Sequence, residues 1–127
     1  MEAISFDYRF SNLCNFKCRM CGEQLSSTWE TEKKVHNLWN EKNQPFMVPE
    51  IKSAMKTFQE EVVEVEFRDA VSRGIVEEMY WVGGEPLMYD VHWWTLEEML
   101  KNGSNKNCYM RYNSNLSRVQ FGQKNLY

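Results

Sequence analysis

The chain has 127 residues, of which 43% are hydrophobic, and a formal net charge of −3. That is enough for one domain with a real core, and it excludes a disordered composition. The mildly acidic balance argues against broad nucleic-acid binding and leaves room only for a local basic patch.

No apolar run is long enough to span a bilayer. The start, Met1-Glu2-Ala3-Ile4-Ser5, lacks the basic opening and apolar core of a signal peptide. The expectation is therefore a cytoplasmic, reducing location with no membrane partner, where cysteines are more often ligands than disulfides.

Ile4 to Asn12 reads as a strand. Ile4, Phe6, Tyr8 and Phe10 alternate with Ser5, Asp7, Arg9 and Ser11, a period of two. Asp7 and Arg9 then face either away from the apolar side or into a polar interior. Directly after the strand come Cys14, Cys18 and Cys21, spaced C-x3-C-x2-C. Three thiols within eight residues can point into one small volume without help from the rest of the fold. Thiolates are soft ligands and suit iron–sulfur clusters or zinc. With three cysteines, a four-iron cluster would keep one iron free for a small molecule, as the open position of a catalytic metal site does. Phe16, inside the loop, reads as a packing residue that shields such a group, and Gly22 permits an unusual turn after it.

Ser27-Thr28-Trp29-Glu30 has the form of a capping box, opening a helix to about Asn40 with Trp29, Val35, Leu38 and Trp39 as its apolar contacts. His36 within it would complete a Cys3His zinc site, but reads better as an ordinary surface or packing residue. Asn43-Gln44-Pro45 breaks the pattern, and Pro49 suits the first turn of a second helix. Ile51, Met55, Phe58, Val62 and Val65 form a helical apolar stripe, read as core packing in preference to a partner-binding face. Val62 to Phe67 also alternates as a strand would. Gly74 is a C-terminal stop. Ile75 to Val82 contains the second strand, followed at once by Gly83-Gly84-Glu85-Pro86. Glycines there allow close backbone approach to a ligand, Glu85 offers a carboxylate to a cationic amine, and Pro86 fixes the turn. Taken alone, the same four residues could be only a tight turn.

Asp90 is placed to cap a third helix, near Val91 to Lys101, ending at Gly103. Trp93, Trp94, Leu96, Met99 and Leu100 cover so much of it that an exposed apolar patch is left open. Cys108 to Tyr112 is the third strand, with Cys108 read as a buried inert thiol and Asn113-Ser114-Asn115 as its polar end.

The cysteine spacing and the Gly-Gly-Glu-Pro turn, in this order and each after a strand-like segment, resemble the two signatures of the radical S-adenosylmethionine (SAM) superfamily. The resemblance implies that Cys14, Cys18 and Cys21 hold a 4Fe-4S cluster and that SAM chelates its fourth iron. It implies that Gly83, Gly84, Glu85 and Pro86 cradle the methionine part of SAM. It also assigns Met20 to the adenine, where the family often has an aromatic residue, and Asn113 to SAM through a segment similar to the family's third-strand Thr-Asn-Gly, with serine in place of glycine. The implied activity is reductive cleavage of SAM to a 5′-deoxyadenosyl radical that abstracts hydrogen from a substrate, with an electron donor as partner. The cysteine-loop wording looks closest to members with SPASM or twitch extensions, many of which modify peptides or proteins.

The implied fold is α/β, with parallel strands joined by crossover helices. Three βα units make roughly the first half of a (β/α)6 partial barrel, since a full (β/α)8 barrel needs about 250 residues. The expectation is one domain, truncated or a half-barrel that pairs with something, and self-associating because half a barrel exposes two sheet edges. Two alternatives stand beside the enzyme: a non-catalytic iron–sulfur module that acts through assembly, and a structural zinc domain.

Overall fold

The computed structural model describes residues 2–9, 11–38 and 48–127. Phe10, Trp39, Asn40 and the break at Asn43-Gln44-Pro45 lie outside the described residues. The fold is mixed α/β. Three strands, β1 (Ser5–Tyr8), β2 (Glu78–Trp81) and β3 (Tyr109–Tyr112), form a parallel sheet in the order β1-β2-β3. The register sets Phe6 against Met79 and Met110, and Tyr8 against Trp81 and Tyr112. Parallel neighbours need crossovers, and helices supply them.

The alternation read in β1 sets the layers. Phe6, Tyr8, Met79, Trp81 and Met110 turn to the helical side, where they meet Phe67, Ala70 and Val71 of α3 (Glu64–Ser72) and Val91 and Met99 of α4 (Asp90–Asn102). Aromatic rings make much of this core: Phe67 meets Phe6 edge-on at 5.2 Å and Trp81 at 6.1 Å between centroids. The opposite face is polar. Asp7 and Arg9 pair with each other, Ser5 donates to Glu78, and Arg111 both bonds Glu78 and lies over the Tyr80 ring. Asp7 and Arg9 therefore face away from the apolar side.

The helices depart from the sequence reading in four places. First, α1 (Ser27–Val35) stops short of Asn40. Asn37 adopts a left-handed φ of 55°, and the Asn37 and Leu38 amides turn back to the carbonyls of Lys34 and Lys33, a Schellman ending. Second, the cap of α1 is Ser26, whose side chain accepts the Trp29 amide, so the Ser27–Glu30 capping box does not form. Third, the Ile51–Val65 stripe does not pack in the core. α2 (Pro49–Phe58) buries none of its residues; Phe58 is 60% exposed and Val65 59%. A π turn (Gln59–Val63) joins α2 to α3, so 62–67 is helical, not a strand. Val65 and Phe67 stand about 200° apart around the helix, and the sheet takes the Phe67 side. Fourth, Asp90 begins α4 without a capping bond, the cap position being Tyr89.

Gly74 and Gly103 end their helices with left-handed φ, as expected. The apolar cover of α4 leaves no broad patch: Trp93 and Met99 are buried, and Leu100 alone of the five is exposed. Cys108 is half-buried against the core, and burial, followed by the charge of Glu78, pushes its thiol pKa up. A small antiparallel pair, β4 (Gln120–Phe121) and β5 (Lys124–Asn125), follows the sheet and stacks Phe121 on Trp93. Among the described residues no helix is long and apolar enough to cross a membrane.

Candidate functional site

The cysteine loop leaves the C-terminal end of β1, the end where parallel α/β proteins place their chemistry. A loop this short has no core of its own, so its shape must come from hydrogen bonds. The start of α1 supplies them. Ser27 Oγ accepts the Cys14 amide and bonds the Cys14 carbonyl, both at 3.1 Å. Ser26 Oγ and Thr28 Oγ1 donate to the Phe16 carbonyl at 2.6 and 2.7 Å, and Trp29 Nε1 to the Cys18 carbonyl at 3.0 Å. The Cys21 amide closes a turn on the Cys18 carbonyl at 3.0 Å. These four residues, Ser26 to Trp29, were missed as site residues. The available signal was a run of hydroxyl and indole donors directly after the thiols.

Cys14 is buried, Cys21 half-buried and Cys18 exposed. The Cys21 thiol pKa is pushed up, first by burial and then by the negative charge of Cys18 and Cys14, with a hydrogen bond to Cys18 adding to it. Cys21 thus senses the other two sulfurs. The sulfur of Cys14 accepts the Phe16 amide at 3.4 Å and an Asn115 side-chain N–H at 3.8 Å. Amide donors to sulfur are what ligating thiolates carry, so this donor set fits an iron–sulfur cluster. Among the described residues no group of three or more His, Cys, Asp or Glu side chains is already posed to hold a metal ion. His36, at the far end of α1, is exposed.

The glycine turn after β2 lies against this loop. Glu85 donates its amide to the Leu13 carbonyl at 2.8 Å, one residue before the first cysteine. Gly84 has φ 51°, and a Cβ there would stand 2.4 Å from the Leu13 carbonyl and from the Tyr89 hydroxyl. Gly83 has φ 79°, and a Cβ there would stand 3.0 Å from the Cα and Cβ of Arg9. Both positions need glycine for conformation and for space. Tyr89 completes the seam by donating from its hydroxyl toward the Ser11 and Gly83 carbonyls. Burial raises the Tyr89 pKa, so the phenol stays protonated as that donor.

Glu85 is fully buried. Its carboxylate accepts from the Leu87 amide at 3.2 Å, and from Ser114 Oγ and the Asn115 amide at 2.7 Å each. It therefore ties the turn after β2 to the loop after β3. Pro86 is buried in the short 3-10 turn that follows. Of the remaining sequence candidates, Met20 is 92% exposed and Phe16 43%, both on the open side of the loop. Asn113 is exposed, and its amide continues the sheet by bonding the Trp81 carbonyl at 2.9 Å.

The structure thus brings Cys14, Cys18, Cys21, Gly83, Gly84 and Glu85 to one end of the sheet. A separate cleft of about 820 Å3 opens nearby between the β1 exit and the α2–α3 helix. Leu13 and Tyr89 line it, while the three cysteines do not. No family model matches the chain, and neither the curated proteins nor the solved structures give a match.

Proposed function

We propose that this chain is the cluster-binding part of a radical SAM enzyme, with its three parallel strands forming about half of a (β/α)6 partial barrel. The observation that carries the reading is the direct docking of the Gly83–Pro86 turn on the root of the cysteine loop, through Glu85 N–H to Leu13 C=O at 2.8 Å. Two motifs 69 positions apart, counting from Cys14 to Gly83, meet at one end of the sheet.

In this reading Cys14, Cys18 and Cys21 ligate three irons of a 4Fe-4S cluster. Gly83, Gly84, Glu85 and Pro86 form the floor under the methionine part of SAM, with exposed Met20 free to cover the adenine and Asn113 at the β3 end of the same rim. When bound, cluster and SAM supply one-electron cleavage of a carbon–sulfur bond and a 5′-deoxyadenosyl radical for hydrogen abstraction. The chain's own part is positional. Ser26, Ser27, Thr28 and Trp29 hold the loop backbone, and Tyr89 holds the two strand exits together. The polar sheet face would be the barrel interior. An electron donor, a peptide substrate, a cytoplasmic location and self-association of the isolated chain belong to the same proposal.

One observation favours a second reading. The Glu85 carboxylate already accepts three protein donors, and the Gly83 carbonyl already accepts the Tyr89 hydroxyl. These are the groups that SAM would use, so a cluster-binding module without SAM chemistry accounts for them equally well.

Anaerobic reconstitution with iron and sulfide separates the readings. A brown chain with about four irons that cleaves SAM after reduction supports the enzyme. A cluster without cleavage supports the module. Stoichiometric zinc and no cluster overturns both and leaves a structural zinc domain.

A further inference from the structure

One side chain from the far edge of the sheet reaches the first cysteine. Asn115 lies just past β3, 101 positions from Cys14, and its Nδ2 stands 3.8 Å from Cys14 Sγ and 3.3 Å from Asn15 Oδ1. An amide nitrogen has two hydrogens, and here each has its own acceptor. The orientation of the amide is fixed independently, because Asn115 Oδ1 accepts the Ser117 amide at 2.9 Å. The main chain is fixed as well, with the Asn115 amide and the neighbouring Ser114 hydroxyl both on the Glu85 carboxylate. The donor that reaches Cys14 is therefore aimed from both ends. The Phe16 amide, the other donor to this sulfur, comes from within the cysteine loop itself.

A donor at a ligating thiolate withdraws electron density from sulfur, which makes an attached metal easier to reduce. We propose that Asn115 is a positioning residue for the Cys14 sulfur, and that its side-chain N–H sets the reduction potential of the iron held there. This rests on the cluster reading above and adds to it a role for a residue beyond the two motifs. It also gives the buried Glu85 a purpose in either reading, since Glu85 carries the backbone that aims Asn115.

The test uses the full chain, reconstituted anaerobically, with the midpoint potential followed by dye-mediated titration and the reduced cluster by electron paramagnetic resonance. Asn115→Leu removes the donor at nearly constant size and charge, and is expected to move the potential to more negative values with iron content unchanged. Asn115→Gln keeps an N–H and is expected to return the potential toward the starting value. Ser117→Ala loosens the neighbouring tie to Asn15 without touching the sulfur, and is expected to leave the potential in place. If Asn115→Leu holds no iron, Asn115→Ala replaces it, with the same shift expected. An unchanged potential without the donor overturns the proposal, and so does an equal shift in Ser117→Ala, which would mean loop order alone is at work. If the unsubstituted chain assembles no cluster, the cluster reading fails and Co(II) decides the present proposal. A sulfur-to-cobalt charge-transfer band at lower energy in Asn115→Leu supports it; an unchanged band, or no cobalt–thiolate band at all, overturns it.

Discussion

The helical side of the sheet and its cysteine-bearing end are built by different physics. The first is an aromatic core: Phe67, Trp81, Met79, Val71 and Met99 are all fully buried, and the rings meet at van der Waals distance. The second is a set of loops in which Cys18, Phe16 and Met20 stay exposed and main-chain groups are held by serine, threonine, tryptophan and tyrosine side chains. The core tolerates loss of detail and resists loss of volume. The cysteine loop itself leaves most of its side chains exposed and depends on each donor being in place. Stability and site geometry are therefore separable in this chain, and substitutions can break one without the other.

The largest expected effect is on the core side. Phe67→Ala removes a ring that touches Phe6, Tyr8 and Trp81, and should cost about 3–5 kcal/mol in urea unfolding. A loss under about 1 kcal/mol would mean that α3 does not rest on the sheet as described.

Next is the seam between the two regions. Gly84→Ala puts a Cβ 2.4 Å from the Leu13 carbonyl at a φ of 51°. The strain should cost about 1–3 kcal/mol, and the displaced turn should lower iron uptake far more than the cost in stability alone explains. Full iron uptake with unchanged unfolding would show that the turn and the cysteine loop are independent.

The smallest effect is electrostatic and sits beside the loop. Burial pushes the Glu30 carboxyl pKa up, but hydrogen bonds from Lys34, Lys52 and Asn12 outweigh it and bring the value from 4.5 down to about 2. As pH falls below 4.5 the unfolded chain takes up a proton that the folded chain refuses. The stabilisation is thus complete above pH 4.5 and is lost as pH falls to about 2. Urea midpoints of the unsubstituted chain should fall more steeply over that interval than those of Glu30→Gln. Parallel curves would remove Glu30 from the account.

This contrast also explains what could be read from sequence. Core positions announce themselves through periodicity: Phe6 and Tyr8 alternate with Ser5 and Asp7, and the sheet uses them in that way. The cysteine spacing and the double glycine are local patterns, and their order after two strands is linear information. The network between them is not. Ser27 looks like a helix cap, yet its hydroxyl is taken by the Cys14 backbone, which hands the cap to Ser26. Asn115 reads only as part of the polar end of the third strand, and the parallel pairing of β2 and β3 brings it to Cys14. The Ile51–Val65 stripe misled for a related reason. An apolar helical face specifies that something should cover it, but not what: α2 buries none of its residues, and α3 turns Phe67, Ala70 and Val71 to the sheet instead.

The polar sheet face has a consequence of its own. Among the described residues, Asp7 and Glu78 are answered on it by Arg9 and Arg111, two ion pairs side by side. A charged molecule arriving there would have to exchange partners with one of these pairs before it could settle. Selectivity at that wall would rest on matching the alternation of signs, a lock whose teeth are spaced by the strands themselves.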